Sequence, residues 1–186
     1  MYVSFIAYPV MVLGPGKRIG IWTMGCNRRC YNCASPFLWE KDEKYNISIE
    51  NLMIQIESYL EKEQVDGITI SGGEPFLQDE LVELLSYLKY KGIQDILVYT
   101  GNTLEELKLN PKYNEALKYI DVLVDGEYVD YLNDKKNLRG SSNQCVYIFN
   151  NSLKEKYEIY LKEERKFQQN ITFNNKKIYI GLPYIK

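Results

Sequence analysis

The chain has 186 residues, 45% apolar and 26% charged, which fits one globular domain with a substantial core. A formal net charge of −2 gives no basic excess, so we expect no nucleic-acid partner. We also expect no membrane partner, because no apolar run approaches the ~20 residues that a span needs. The chain contains no histidine, the side chain that most often carries acid–base catalysis near neutral pH.

Short apolar runs alternate with segments of helical periodicity. Strands are predicted over residues 19–24, 67–71, 95–100, 120–125 and 144–149. Helices are predicted over residues 49–62, 79–91 and 103–118. This alternation is typical of an α/β fold with a mainly parallel sheet, whose ligands gather at the carboxyl ends of the strands.

The last part of the chain has a different pattern. Residues 151–169 predict a charged amphipathic helix, and residues 171–173 and 178–180 predict a hairpin. We therefore expect a core over residues 1–150 and a C-terminal extension over residues 151–186 that packs on the same domain.

Three closely spaced cysteines, Cys26, Cys30 and Cys33, follow the first predicted strand. A 4Fe-4S cluster usually takes four thiolates, so three leave one iron open for chemistry. Structural zinc is disfavoured, because the chain has no histidine and no second cysteine pair. The fourth cysteine, Cys145, lies in an apolar run and is predicted to pack in the core rather than to bind iron.

The first residues, 1–5, lack the basic and long apolar regions of a secretory signal. Disulfide bonds need an oxidising compartment, so we expect reduced cysteines and a cytoplasmic protein.

A second motif, Ser71-Gly72-Gly73-Glu74-Pro75, follows the next predicted strand. Glycines at a strand end let the backbone approach a ligand, and the Glu74 carboxylate suits an ammonium group. Alone, such a motif is more often a simple turn. Its place one strand after the cysteine loop favours a binding site.

Together these two motifs resemble those of radical S-adenosylmethionine enzymes. The chain looks most like the activating proteins of anaerobic class III ribonucleotide reductases. Further matching segments are Tyr8-Pro9-Val10, Leu13-Gly14-Pro15-Gly16-Lys17-Arg18, Tyr99-Thr100-Gly101, Val122-Leu123-Val124-Asp125-Gly126 and Arg139-Gly140-Ser141-Ser142-Asn143-Gln144.

The resemblance implies an incomplete (β/α) barrel whose mouth holds a 4Fe-4S cluster on Cys26, Cys30 and Cys33. The amine and carboxylate of S-adenosylmethionine would chelate the fourth iron. Residues implied to bind this cofactor are Gly72, Gly73 and Glu74 at the amine, and Asn32, Cys33 and Ala34 along the adenine.

The implied reaction is reductive cleavage of S-adenosylmethionine to methionine and a 5'-deoxyadenosyl radical. That radical would take a hydrogen atom from a glycine on the large reductase subunit, with flavodoxin or ferredoxin as electron donor. No catalytic side chain is implied beyond the cluster and the cofactor.

Several more residues have two possible roles each. Thr100 contacts the cofactor or is a local cap, and Asp125 contacts the cofactor or starts a turn. Arg139 binds a carboxylate and Ser141 to Gln144 line the same rim, or these residues form the hydrogen bonds that a polar strand start needs whatever the function. Arg28 and Arg29, inside the cysteine loop, favour thiolates or are a solvated pair.

The sequence also fits two alternative functions. One is a radical S-adenosylmethionine enzyme that acts on a small molecule or another polypeptide. The other is an electron-transfer or regulatory iron-sulfur protein, which has no need of a nucleoside site at Gly72 to Glu74.

Overall fold

A computed structural model describes residues 1–163, 168–173 and 176–181. Its centre is a six-stranded sheet in sequential order, with four parallel inner strands and an antiparallel strand at each edge. The strands are β1 (Val3–Val10), β2 (Arg18–Thr23), β3 (Gly67–Gly72), β4 (Ile96–Tyr99), β5 (Val122–Asp125) and β6 (Cys145–Ile148). The prediction of a mixed α/β fold with a mostly parallel sheet is confirmed.

The helices are α1 (Ile49–Lys62), α2 (Leu81–Tyr90), α3 (Leu104–Leu109), α4 (Pro111–Leu117) and α5 (Lys154–Lys162). The prediction of one helix over residues 103–118 was wrong. Asn110 ends α3 and caps α4, where its Oδ1 accepts a hydrogen bond from the amide of Lys112. Pro111 cannot donate a backbone hydrogen bond to a continuing helix, so a new helix starts there.

The two faces of the sheet are covered by different elements. On one face, α1 and α2 contribute Leu52, Ile56, Leu84 and other buried side chains to the largest apolar cluster. On the other face, Tyr157 and Tyr160 of α5 pack with Leu97 of β4 and with β5. The sheet is therefore buried on both sides, as its near-continuous apolar strands indicate.

Strand β6 lies within the strand predicted over residues 144–149. The prediction that Cys145 packs in the core was wrong. Cys145 is exposed and its thiol is free. The reason is that β6 pairs only with β5 within the described residues and forms an edge of the sheet. An apolar run does not distinguish such an edge strand from a central one.

After β6 the chain continues with a short 3₁₀ turn and α5, and α5 ends at Lys162 rather than reaching residue 169. The predicted hairpin is present as β7 (Gln169–Phe173) paired with β8 (Lys176–Ile180). Phe167, Asn174 and Asn175 lie outside the described residues. Among the described helices, none is long and apolar enough to cross a membrane.

A buried charged network joins α5 to the central sheet. Arg18 Nη2 and the Tyr157 hydroxyl both donate to Asp95 Oδ1, at 2.9 and 2.6 Å, and Lys156 Nζ donates to Oδ2 at 2.8 Å. Burial acts to raise the pKa of Asp95, but the hydrogen bond and charge of Arg18 hold it below the ordinary value. Asp95 therefore stays ionised and anchors α5.

Candidate active site

A cavity of about 140 Å³ opens at the carboxyl ends of β3, β4 and β5. The cysteine loop forms one wall, and the segments that follow these three strands form the others. The residues that line it are Cys26, Arg28, Cys30, Cys33, Trp39, Ser71, Gly72, Gly73, Glu74, Tyr99, Thr100, Gly101, Gly126, Tyr128 and Gln144. Two motifs separated in the sequence thus meet at the expected rim.

The cysteine loop is held by its backbone. The amides of Gly25 and Cys26 donate to the carbonyls of Leu38 and Trp39, at 2.9 and 2.8 Å. Arg29 and Asn32 both have left-handed φ values, 49° and 53°, which turn the chain between the cysteines. All three cysteines are half-buried, carry free thiols and line the cavity.

The two loop arginines have acidic partners of their own. Arg28 Nη2 donates to Asn102 Oδ1 at 2.6 Å and to Glu106 Oε2 at 3.2 Å, while Arg29 pairs with Glu40. Burial raises the pKa of the Cys30 thiol to about 11, against the lowering effect of a backbone hydrogen bond from Tyr128. The expected lowering of a thiol pKa by these arginines is therefore not found at Cys30.

The Gly-Gly-Glu-Pro turn fits closely against the cysteine loop. The amides of Gly73 and Glu74 donate to the carbonyls of Thr23 and Gly25, both at 2.8 Å. A Cβ on Gly73 would lie 2.4 Å from the Gly25 carbonyl oxygen, and one on Gly72 would lie 2.4 Å from the Thr23 backbone. Only glycine allows the two loops to approach this closely.

Glu74 is buried, and its carboxylate holds the rim together. Oε1 accepts from the Thr100 hydroxyl at 2.8 Å and from the Phe76 amide at 3.1 Å, and Oε2 accepts from the Gly101 amide at 2.7 Å. Burial raises the pKa of Glu74 above its ordinary value, although these hydrogen bonds oppose the shift. The carboxylate is the acidic side chain that lines the cavity.

The chemistry of this wall fits an iron-sulfur cluster. Among the described residues, no three histidine, cysteine or acidic side chains are grouped to hold a single metal ion. A cubane needs no such group, because each thiolate binds a different iron atom. Two residues that line the cavity, Arg28 and Trp39, each contain a buried nitrogen, Nε and Nε1, with no hydrogen-bond partner in the described structure. Unpaired buried donors of this kind suit a bound group with acceptor atoms.

The structure brings together seven of the predicted site residues: Cys26, Cys30, Cys33, Gly72, Gly73, Glu74 and Thr100. Asn32 and Ala34 are exposed, outside the residues that line the cavity, and Asn32 Nδ2 donates to Asp130 at 3.2 Å. The Thr100 hydroxyl accepts from the Asn102 amide at 3.0 Å, so it also has the local capping role.

Three other predicted residues form polar contacts with other parts of the protein. The Asp125 carboxylate accepts from the amides of Leu104 and Cys145, at 2.7 and 3.1 Å, and so links α3 to β6. Arg139 pairs with Asp134, and the Ser141 hydroxyl accepts from Val129. None of the three is among the residues that line the cavity.

Several lining residues were not among the predicted site residues. Tyr99 ends β4 and Tyr128 follows β5, so the strand-end rule was a usable signal for both. Gln144, in contrast, was predicted to line the rim as part of the run from Ser141 to Gln144; it lines the cavity and donates to the Gly126 carbonyl at 2.7 Å. Trp39 had no signal, because it follows no predicted strand and lies outside the cysteine loop and the other matching segments.

Comparisons with known proteins agree with this site. A family model described as a 4Fe-4S single cluster domain matches residues 12–147. The anaerobic ribonucleoside-triphosphate reductase-activating protein of Enterobacteria phage T4 is 34% identical over 145 residues, 75% of this chain and 90% of that protein. Its Escherichia coli K12 counterpart is 33% identical over 149 residues, 75% of this chain and 94% of that protein.

A more distant relative extends the comparison beyond reductase-activating proteins. The pyruvate formate-lyase-activating enzyme of Staphylococcus aureus is 32% identical over 151 residues, 76% of this chain but 59% of that protein. Among solved structures, QueE from Escherichia coli aligns with a TM-score of 0.46 and 23% identity, over 54% of this chain and 52% of that chain. Because the single-cluster model and the reductase-activating proteins match across most of its length, this chain belongs to the radical S-adenosylmethionine activating enzymes of glycyl radical enzymes.

Proposed function

We propose that Cys26, Cys30 and Cys33 hold a 4Fe-4S cluster whose fourth iron is open to S-adenosylmethionine. The observation that carries this proposal is that the three thiols and the Gly-Gly-Glu-Pro turn line one cavity. The sheet around it is proposed to be an incomplete barrel, with residues 1–150 as its core and residues 151–186 as an extension. We propose a cytoplasmic location, which suits free thiols.

When bound, the cluster and S-adenosylmethionine together supply a 5'-deoxyadenosyl radical. The chain's own groups bind and orient the methionine end. Glu74 is buried in the wall, so its carboxylate attracts the ammonium group with little screening by water. Gly72 and Gly73 bring backbone groups next to the same position, and the cysteine loop is proposed to lie along the adenine through Asn32, Cys33 and Ala34. Contacts of Thr100, Asp125, Arg139 and Ser141 with the cofactor have less support, because their polar atoms already have protein partners.

The partner is proposed to be the large glycyl radical subunit of an anaerobic ribonucleotide reductase. The support is the name shared by relatives that this chain matches over 90% and 94% of their length. A flavodoxin or ferredoxin is the proposed electron donor. A second candidate partner is a pyruvate formate-lyase, because an activating enzyme of that protein is 32% identical to this chain.

The test is anaerobic. The reconstituted protein is mixed with S-adenosylmethionine, dithionite and either the reductase large subunit or a pyruvate formate-lyase. We expect 5'-deoxyadenosine and a glycyl radical, seen by electron paramagnetic resonance, with the reductase. A glycyl radical with the lyase alone supports the second partner. No 5'-deoxyadenosine from a protein with an intact cluster contradicts the radical chemistry.

A further inference from the structure

Trp39 contains a buried donor that the protein itself leaves unpaired. Its indole Nε1 has no hydrogen-bond partner in the described part of the chain, although Trp39 lines the cavity. An indole N–H can only donate, so it needs an acceptor when it is removed from water. Native structures pair nearly all such groups. The missing acceptor is therefore expected to arrive with a bound group.

The contacts of Trp39 connect it to the cysteine loop. Its carbonyl accepts from the Cys26 amide at 2.8 Å, and the Arg29 guanidinium lies 5.8 Å from the centre of its ring. Neighbouring Leu38 makes the same kind of backbone contact, to Gly25 at 2.9 Å. Because the ring packs against Arg29, which lies between Cys26 and Cys30 in the chain, and lines the same cavity as the three thiols, these contacts favour the cluster over the nucleoside as the acceptor.

We propose that Trp39 Nε1 donates a hydrogen bond to a sulfur atom of the 4Fe-4S cluster and thereby raises its reduction potential. This inference rests on the proposed ligation by Cys26, Cys30 and Cys33. The acceptor is an inorganic sulfide or a ligating sulfur in its metal-bound position, since no protein sulfur pairs with Nε1 in the described structure.

The effect on potential follows from charge. Reduction adds one electron, which increases the negative charge on the cluster sulfurs and strengthens a hydrogen bond to them. Hydrogen bonds to the sulfurs are one of the factors that set the potential of such clusters. The donor therefore stabilises the reduced form more than the oxidised form. A tryptophan at this place makes the cluster easier for an electron donor to reduce.

The test compares midpoint potentials of reconstituted variants. Trp39→Phe keeps an aromatic ring beside Arg29 but removes the N–H. Trp22→Phe is the matched control, because Trp22 is the other of the two tryptophans and is stacked on Phe5 in the core. We expect Trp39→Phe to shift the reduction equilibrium about tenfold towards the oxidised form, which is about 59 mV for one electron. The control should leave the potential at the wild-type value.

A second measurement does not depend on how the Trp39 variant folds. Protein labelled with ¹⁵N in its indole rings is reduced, and hyperfine coupling between the cluster spin and ¹⁵N is measured by pulsed electron paramagnetic resonance. Coupling that persists in Trp22→Phe, where Trp39 is the remaining tryptophan, supports the proposal. Intact clusters without such coupling, or with equal potentials in all three proteins, overturn the inference alone. Failure of the wild type to assemble a cluster overturns the proposed function as well.

Discussion

Glu74 combines burial, charge and hydrogen bonding more completely than any other described residue of the cavity wall. Its two oxygens accept three hydrogen bonds from Phe76, Thr100 and Gly101, so the carboxylate cannot rotate freely. A carboxylate fixed in this way presents its charge without reorganisation when a ligand binds. The residue therefore shapes the rim and is proposed to attract the ammonium group.

Replacing Glu74 by glutamine removes that charge with little change in volume. We expect affinity for S-adenosylmethionine to fall roughly tenfold or more, because a charge-assisted hydrogen bond is lost. Anaerobic calorimetry on the reconstituted protein measures this. Glu105→Gln, an exposed carboxylate on α3 outside the cavity lining, should bind like the wild type. Equal affinity in wild type and Glu74→Gln would contradict the role of Glu74.

At the level of elements, local sequence patterns predicted every inner strand but missed β1. That strand ends in Tyr8-Pro9-Val10, and a proline normally argues against a strand because it cannot donate to the ladder. The edge position of β1 makes the proline tolerable, and edge position depends on the whole sheet. The break at Asn110-Pro111, in contrast, was present in the sequence and followed a local rule.

The attachment of α5 depends on Tyr157. Burial raises the pKa of its hydroxyl, which stays protonated and donates to Asp95. Tyr157→Phe leaves the ring in place but removes this hydrogen bond, so we expect the free energy of unfolding to fall by about 1–3 kcal/mol. Chemical denaturation measures the change. Tyr131→Phe, at a residue that is 86% exposed, should change it by less than about 0.5 kcal/mol. Equal stability of Tyr157→Phe and wild type would show that the network does not anchor α5.

For the whole molecule, the sequence was enough to predict which strand ends meet at one cavity. Parallel strands place their carboxyl ends at one rim, so residues after β2, β3 and β4 were expected to meet, and Cys26, Glu74 and Thr100 do. The pairing of individual polar groups could not be predicted. Arg139 was predicted to bind the carboxylate of a ligand, but its guanidinium is paired with Asp134. Such pairs depend on loop conformations that residue types alone do not specify.

Three cysteines, and not four, are proposed to hold the cluster. Cys145 provides the matched control, because it is exposed on β6 and does not line the cavity. The most direct measurement is iron content, with the electron paramagnetic resonance spectrum, of reconstituted wild type, Cys30→Ala and Cys145→Ala. We predict about four irons per chain and the same spectrum for wild type and Cys145→Ala, and loss of the cluster and of cofactor cleavage in Cys30→Ala. Loss of the cluster in Cys145→Ala, or full cleavage activity in Cys30→Ala, would contradict ligation by Cys26, Cys30 and Cys33 alone.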